Sequence, residues 1–188
     1  MSLGQNKNVY LRTSAFRSGL FVLIVCYLLG SAAGLFAPTS IANFSFPELS
    51  TDRQSFLTYV WFHIRLLPIA FLFGYTAIGV LVQPVLLALA GYMLSASFVN
   101  AFAAADKAAI SGFVLNNSLT GIAELFFLFL LGSSGFCRAW SAMSNSIRIR
   151  SGQVYPMYTA LHFGFFVFGI IAVLMASILN LFLYAMFF

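Results

Sequence analysis

Hydrophobic residues dominate this chain in five long stretches that short polar segments interrupt. The apolar stretches cover residues 16–36, 58–82, 84–104, 114–136 and 156–184. A helix needs about 20 predominantly apolar residues to cross the hydrocarbon core of a bilayer. The pattern therefore predicts an all-α, multi-pass transmembrane helix bundle of about five spans. The whole chain, residues 1–188, is then a single transmembrane domain with almost no soluble part.

Prolines and polar residues mark where the predicted spans end and begin. Pro38 ends the first stretch because proline has no backbone donor. Thr51 and Gln54 have the spacing of a capping box, which predicts a helix start. Gln83 and Pro84 predict a very short turn between the second and third spans, since proline is well tolerated at the first helical position. The fifth stretch is long for one span, so we expect tilt, a protruding end or a late break.

The composition supports a membrane protein. Of the 188 residues, 62% are hydrophobic and only 7% are charged, whereas soluble domains carry about 25% charged residues. Nine Lys and Arg residues stand against four Asp and Glu residues. These basic residues lie near the ends of hydrophobic stretches, which favours a membrane rather than nucleic acid as the partner.

Basic residues also predict the orientation. Two groups serve as predicted cytoplasmic anchors: Lys7, Arg12 and Arg17 in the N-terminal tail, and Arg138, Arg148 and Arg150 in a predicted basic cytoplasmic loop, residues 137–154. Five spans place the tail and this loop on the same side of the membrane. Because cytoplasmic segments collect Lys and Arg, we expect the N-terminus in the cytoplasm and the C-terminus outside.

Several glycines have spacings that favour close helix packing. Gly30 and Gly34 form a GxxxG motif with small residues between them. Small residues let two helices approach closely where lipid removes the hydrophobic driving force. Gly74, Gly79 and Gly91 have the same interpretation. Packing within one bundle is favoured, and the alternative is a contact in a homodimer.

Glu124 is the only acidic residue within an apolar stretch. A carboxylate inside a membrane costs several kcal/mol and usually has a partner or a function. Arg65, Asn100 and Asn180 are expected at a comparable depth on other spans, so we predict a structural polar cluster in the outer half of the membrane, with Glu124 and Arg65 at its centre. The functional alternative is a proton or ion site.

The sequence contains few candidates for catalysis or metal binding. His63 and His162 are expected in opposite leaflets, so they cannot share a metal, and both are interpreted as packed or interfacial residues. Cys26 and Cys137 imply no disulfide framework. No hydrolase, metalloprotease or P-loop motif is present. The sequence therefore predicts a protein that is not an enzyme and holds no metal or other cofactor.

The order of these features resembles the stage II sporulation protein M family of bacterial membrane proteins. The resemblance covers residues 14 to 185 and rests on four short segments: Leu29–Gly34, Phe71–Val80, Gly91–Ser95 and Leu115–Asn117. The chain has Ala90 where the family often has a basic residue, and Ser95 where it often has glycine. The resemblance implies a non-enzymatic protein of the bacterial cytoplasmic membrane. The sporulation member is similar to a scaffold that holds peptidoglycan-degrading partners at the septum during engulfment.

Three functions are compatible with these patterns. The first is a membrane scaffold or assembly subunit of a bacterial envelope complex, with lipid and other membrane or envelope proteins as partners and no nucleic acid. The second is a transporter or permease subunit that uses the polar cluster of Glu124 and Arg65, although transporters usually carry an internal repeat that is not evident here. The third is an enzyme acting on lipid through His63 and Arg65.

Overall fold

A computed structural model describes residues 14–36, 52–103, 110–111, 113–114, 117–147 and 159–187. Within these ranges the chain is helical, with no strand. The helices are α1 (Ser14–Leu35), α2 (Arg53–Ile64), α3 (Leu66–Phe73), α4 (Gly79–Ala103), α5 (Leu119–Ile147) and α6 (Thr159–Phe187).

Five segments are long and apolar enough to cross a membrane. They are Phe16–Leu35, Arg53–Phe73, Gly79–Ala103, Leu119–Trp140 and Leu161–Met186. Helices α2 and α3 together form the second of these, and each of the others lies within one helix. The prediction of an all-α, multi-pass bundle of about five spans is confirmed. The orientation in the membrane stays a prediction.

Helix α5 lies at the centre of the bundle and contacts every other helix. The most extensive contact is between α1 and α4, and α6 packs mainly along α5. The apolar core between them is formed by buried side chains from five of the helices: Leu23, Leu66, Leu67, Ala70, Leu86, Leu87, Ala90, Leu128, Leu131 and Val173. The faces directed away from this core are also rich in exposed Leu, Ile and Phe. Such an apolar exterior fits a lipid solvent.

The second span is interrupted at Arg65, which separates α2 from α3. Pro68 explains the break, because proline cannot donate a hydrogen bond to the carbonyl four residues earlier, that of Ile64. The backbone of Arg65 keeps helical dihedral angles (φ −53°, ψ −29°), and its N–H still donates to the Trp61 carbonyl at 3.0 Å. The two helices therefore continue as one kinked span.

The turn between the second and third spans lies at residues 74–78, and not at Gln83 and Pro84. Successive short-range hydrogen bonds close it, including Tyr75 N to the Leu72 carbonyl and Thr76 N to the Phe73 carbonyl, both at 3.1 Å. Gln83 and Pro84 instead lie inside α4. The prediction was wrong because it assigned a polar residue to water, whereas the structure buries it.

The remaining helix ends also differ from the predicted ones. Helix α2 begins at Arg53 with Asp52 as its N-cap, whose carboxylate accepts from the N–H groups of Gln54 at 3.1 Å and Ser55 at 3.2 Å. Thr51, which was predicted to start it, lies outside the described residues. Helix α6 runs without a break from Thr159 to Phe187, so the late break is not seen.

Candidate functional site

The close contact between α1 and α4 depends on three glycines. A Cβ atom added to Gly30 would collide with the Ala88 carbonyl, and one added to Gly34 would lie 2.5 Å from the Tyr92 carbonyl oxygen. From the opposite helix, Gly91 faces the Tyr27 backbone in the same way. The structure thus places the GxxxG motif inside the bundle, where it packs against α4.

The other two predicted packing glycines frame the turn after α3. A Cβ on Gly74 would lie 2.5 Å from Nε2 of His162 and 2.9 Å from the Cα of Gly135. A Cβ on Gly79 would collide with the Phe73 carbonyl and lie 3.1 Å from the Cβ of Ala139. The two ends of the turn therefore lie tightly against α5 and α6, whereas residues 75–78 between them are exposed.

Glu124 has His63 as its direct partner. Its Oε2 atom lies 2.7 Å from Nδ1 of His63, which links α5 to α2. The His63 side chain is 1% exposed and the Glu124 side chain 12% exposed. The predicted partner, Arg65, lies close by but stacks its guanidinium over the Phe62 ring, 4.1 Å from the ring centroid. The structure therefore changes the centre of the predicted cluster from Glu124–Arg65 to Glu124–His63.

Asn180 forms a second polar link, one helical turn from the first. Its Nδ2 atom donates to the Thr120 hydroxyl at 2.9 Å and to the Tyr59 hydroxyl at 3.2 Å, and its Oδ1 accepts from Ser118 at 3.4 Å. These bonds join α6 to α5 and to α2. The buried Asn180 is thus in the polar cluster, as the sequence predicts, although it does not reach Glu124 directly.

The two links are stacked because their residues share a helical spacing. Tyr59 and His63 are four residues apart on α2, and Thr120 and Glu124 are four residues apart on α5, so each pair lies on one face of its helix. The two helices pass each other in the same direction, which fits a second and a fourth span crossing the membrane the same way. We call Tyr59, His63, Thr120, Glu124 and Asn180 the Glu124 cluster.

A small cavity adjoins the Glu124 cluster. It has a volume of about 30 Å³, and polar side chains of Arg65, Asn117 and Glu124 line it together with apolar residues of α3 and α4. Arg65 and Glu124 therefore share a cavity without being the closest pair. Asn100 is half-buried in α4, about 9 Å along the helix from Leu94, which lines the cavity.

A second buried polar group lies about 15 Å away along α5, ten residues after Glu124. The Nδ1 atom of His162 is 2.7 Å from the Ser134 hydroxyl, and its Nε2 atom is 3.1 Å from the Phe71 carbonyl oxygen. A carbonyl only accepts, so Nε2 of His162 donates to Phe71. The Ser134 hydroxyl also donates to the Leu131 carbonyl at 2.9 Å, which joins His162 to the backbone of α5. His63 and His162 are therefore well separated along the bundle, and their assignment to opposite leaflets stays a prediction.

Gln83 contributes to the same region from α4. Its buried side chain donates from Nε2 to the Ala70 carbonyl at 2.6 Å. Ala70 and Phe71 lie in the last turn of α3, where carbonyl groups take donors from beyond the helix. The Ala70 carbonyl also accepts the backbone N–H of Gly74 at 3.1 Å. In lipid, such groups must be satisfied by the protein itself. Gln83 and His162 therefore donate from α4 and α6 to carbonyl groups at the C-terminal end of α3.

Arg138 differs most from its predicted role as a loop anchor. Helix α5 continues through it to Ile147, and Arg138 is 5% exposed. Its guanidinium lies over the Tyr75 ring, 4.0 Å from the centroid. A cation at this position is also stabilised by the negative, C-terminal end of the α3 helix dipole. Of the other predicted anchors, Arg17 is exposed on α1, and Lys7, Arg12, Arg148 and Arg150 lie outside the described residues.

The described residues offer no grouping of metal ligands. Among them, no three His, Cys, Asp or Glu side chains come together. Cys26 and Cys137 are not joined in a disulfide. Both nitrogens of His162 have structural contacts, and its neighbour Ser134 is fully buried. The hydrogen bonds of His63, Gln83, His162 and Asn180 thus connect helices to one another.

No family model, curated protein or solved structure matches this chain.

Proposed function

We propose that this protein is a non-enzymatic scaffold or assembly subunit of a bacterial envelope complex, located in the cytoplasmic membrane. One observation carries the proposal: the buried side chains of Glu124, His63, Asn180, Gln83 and His162 bond from one helix to another. Glu124 is paired with His63, Asn180 joins three helices, and Gln83 with His162 caps a fourth. A bundle fixed in this way presents a stable surface to other membrane proteins.

The resemblance to the stage II sporulation protein M family supports the same proposal. Gly30, Gly34, Gly74, Gly79 and Gly91, which lie in the segments that carry the resemblance, are all at close helix contacts. The proposed partners are other membrane or envelope proteins, including peptidoglycan-degrading enzymes. The proposed orientation has the N-terminus in the cytoplasm and the C-terminus outside.

Purification from the native membrane tests this proposal. We expect an affinity-tagged chain, cross-linked in cells and extracted in mild detergent, to bring down an envelope protein at a fixed molar ratio. The untagged chain, carried through the same steps, gives the background. Recovery of the chain alone at every detergent concentration would contradict the proposal.

Transport is the second candidate, because Glu124 lies beside a cavity within the membrane. Intramembrane carboxylates and histidines recur in the proton relays of transporters. Ion-dependent flux by the purified chain in liposomes, abolished by Glu124→Gln, is the result that this candidate requires.

A further inference from the structure

We propose that Glu124 and His63 form a proton-binding site that exchanges its proton through the cavity lined by Arg65 and Asn117. This inference goes beyond the proposed scaffold function and does not rest on it. It starts from the distance of 2.7 Å between Nδ1 of His63 and Oε2 of Glu124. At that separation the two atoms share a hydrogen bond, whose proton can belong formally to either partner.

Access to the pair is one-sided. His63 is 1% exposed, whereas Glu124 is 12% exposed and lines the cavity of about 30 Å³. A cavity of this size has room for water, since one molecule needs about 10–15 Å³ of such volume and two or more polar partners. The carboxyl of Glu124, the guanidinium of Arg65 and the amide of Asn117 supply those partners. Glu124 is therefore the member of the pair that contacts water in the cavity, and His63 is reached only through Glu124.

The groups around His63 and Glu124 determine the electrostatic environment of the pair. On the second span, Tyr59 and Arg65 lie beside His63. Thr120 lies on α5, and Asn117 precedes it. Helix α6 contributes Asn180 and Tyr184. From α3 and α4 the lining residues Leu66, Ala90, Met93 and Leu94 are apolar. Arg65 is thus the only permanently charged side chain among these residues.

Charge counting then defines two states. With Glu124 ionised and His63 neutral, the pair carries one negative charge, which the charge of Arg65 balances. After one proton binds, the pair is neutral and the three side chains together carry one positive charge. Both states keep the hydrogen bond between His63 and Glu124, so the proton can be exchanged without breaking the link between α2 and α5.

Dicyclohexylcarbodiimide, an apolar reagent for protonated carboxyl groups, provides the test. The acid proton moves to a nitrogen of the reagent, and the carboxylate oxygen adds to the central carbon. The resulting O-acylisourea rearranges to a stable N-acylurea, so no atom is lost. The wild-type protein in liposomes is treated at pH values between about 5 and 9, and mass spectrometry measures the adduct at each carboxyl group.

We expect the adduct on Glu124 at acidic pH, falling about tenfold for each pH unit above the midpoint, as a one-proton equilibrium requires. Asp52 is the internal control, because it is an exposed carboxyl group at the start of α2 and stays unmodified. Glu124→Gln removes the adduct. Absence of an adduct on Glu124 at every pH, or an amount independent of pH, would overturn the proposal.

The role of His63 is tested separately. In His63→Gln, we expect the midpoint of modification to move by about one pH unit or more, with the folded fraction checked by size-exclusion chromatography. A midpoint equal to that of the wild type would overturn the sharing of the proton. If the variant fails to fold, the infrared C=O band of a protonated carboxyl group is measured instead. We expect this band in the wild type at acidic pH and not in Glu124→Gln. Its absence from the wild type at acidic pH would overturn the proposal.

Neither result depends on which protein is recovered with the chain from the native membrane. Recovery of a partner with no adduct on Glu124 would support the scaffold and overturn the proton site. An adduct that depends on pH, with no partner recovered, would do the opposite.

Discussion

Gln83 and Ala70 lie on different spans, and the side chain of Gln83 donates a 2.6 Å hydrogen bond to the Ala70 carbonyl oxygen. Ala70 O also accepts the backbone N–H of Gly74 at 3.1 Å. The Ala70 carbonyl in the last turn of α3 thus has two donors, one from its own chain segment and one from the neighbouring helix α4. The turn itself satisfies the next carbonyl groups, those of Leu72 and Phe73, through the N–H groups of Tyr75 and Thr76. The Gln83 contact therefore adds a link between the second and third spans at the end of α3.

Removing that donor is expected to destabilise the bundle. Gln83→Leu keeps a similar side-chain volume but removes one of the two hydrogen bonds to the Ala70 carbonyl, a loss of about 0.5–1.5 kcal/mol. Gln54→Leu is the matched control, because Gln54 is exposed in the first turn of α2. Thermal unfolding in detergent measures both variants. Equal midpoints for Gln83→Leu and the wild type would show that the cap adds nothing to stability.

The contact between α1 and α4 gives a second prediction. Gly30→Ala places a methyl group against the Ala88 carbonyl, so the helices must separate, and we expect a loss of about 1–3 kcal/mol. Gly164→Ala is the control, since no atom lies within 4 Å of the added Cβ. Alanine favours a helix over glycine by about 1 kcal/mol, so the control should be neutral or slightly stabilised. Similar losses in both variants would argue against tight packing at Gly30.

The pair of His63 and Glu124 allows a double-mutant cycle. His63→Leu leaves a buried carboxylate without its partner, which typically costs about 3–5 kcal/mol. Replacing both residues by leucine removes the uncompensated group as well, so the double variant should be more stable than His63→Leu alone. The free energies of unfolding of the four proteins measure the coupling. Additive losses would indicate that the two side chains do not interact.

The orientation is tested by labelling single cysteines in a chain that carries Cys26→Ser and Cys137→Ser. We expect Ser2→Cys and Ser151→Cys to react with a membrane-impermeant maleimide only after the cells are opened, because both positions lie in the basic segments assigned to the cytoplasm. Phe188→Cys should react in intact cells. Labelling of Ser2→Cys and Ser151→Cys from opposite sides would contradict five spans.

The sequence predicted the spans well because a single physical requirement determines them. Only a long apolar helix satisfies its backbone in lipid, and the five apolar stretches match the five candidate spans. Glu124 was identified for a related reason, as a carboxylate that lipid does not tolerate alone.

The partner of Glu124 could not be chosen from depth alone. His63 and Arg65 are two residues apart, so their depths differ by only about 3 Å, but they point to nearly opposite sides of a helix. The charge of Arg65 favoured it as the partner, whereas His63 is the residue on the side of α2 that faces Glu124. The spacing of four residues from Tyr59 to His63, repeated from Thr120 to Glu124, is the signal that could have identified the correct side.

The turn after α3 was misplaced for a different reason. Gln83 followed by Pro84 is typical of a boundary, but a buried carbonyl on another span was the partner that the glutamine required. Such a need arises only from the three-dimensional arrangement, so neither residue reveals it in the sequence.

The position of α5 has a consequence for biogenesis. This helix is the fourth span to be synthesised, yet every other helix packs against it. Until about residue 147 has been synthesised, the earlier spans have only α1 against α4 as an extensive contact, and His63 has no carboxylate to meet. The nascent chain must therefore remain shielded by the insertion machinery or by lipid until late in translation, and a chain that stops before residue 119 is an expected substrate for membrane quality control.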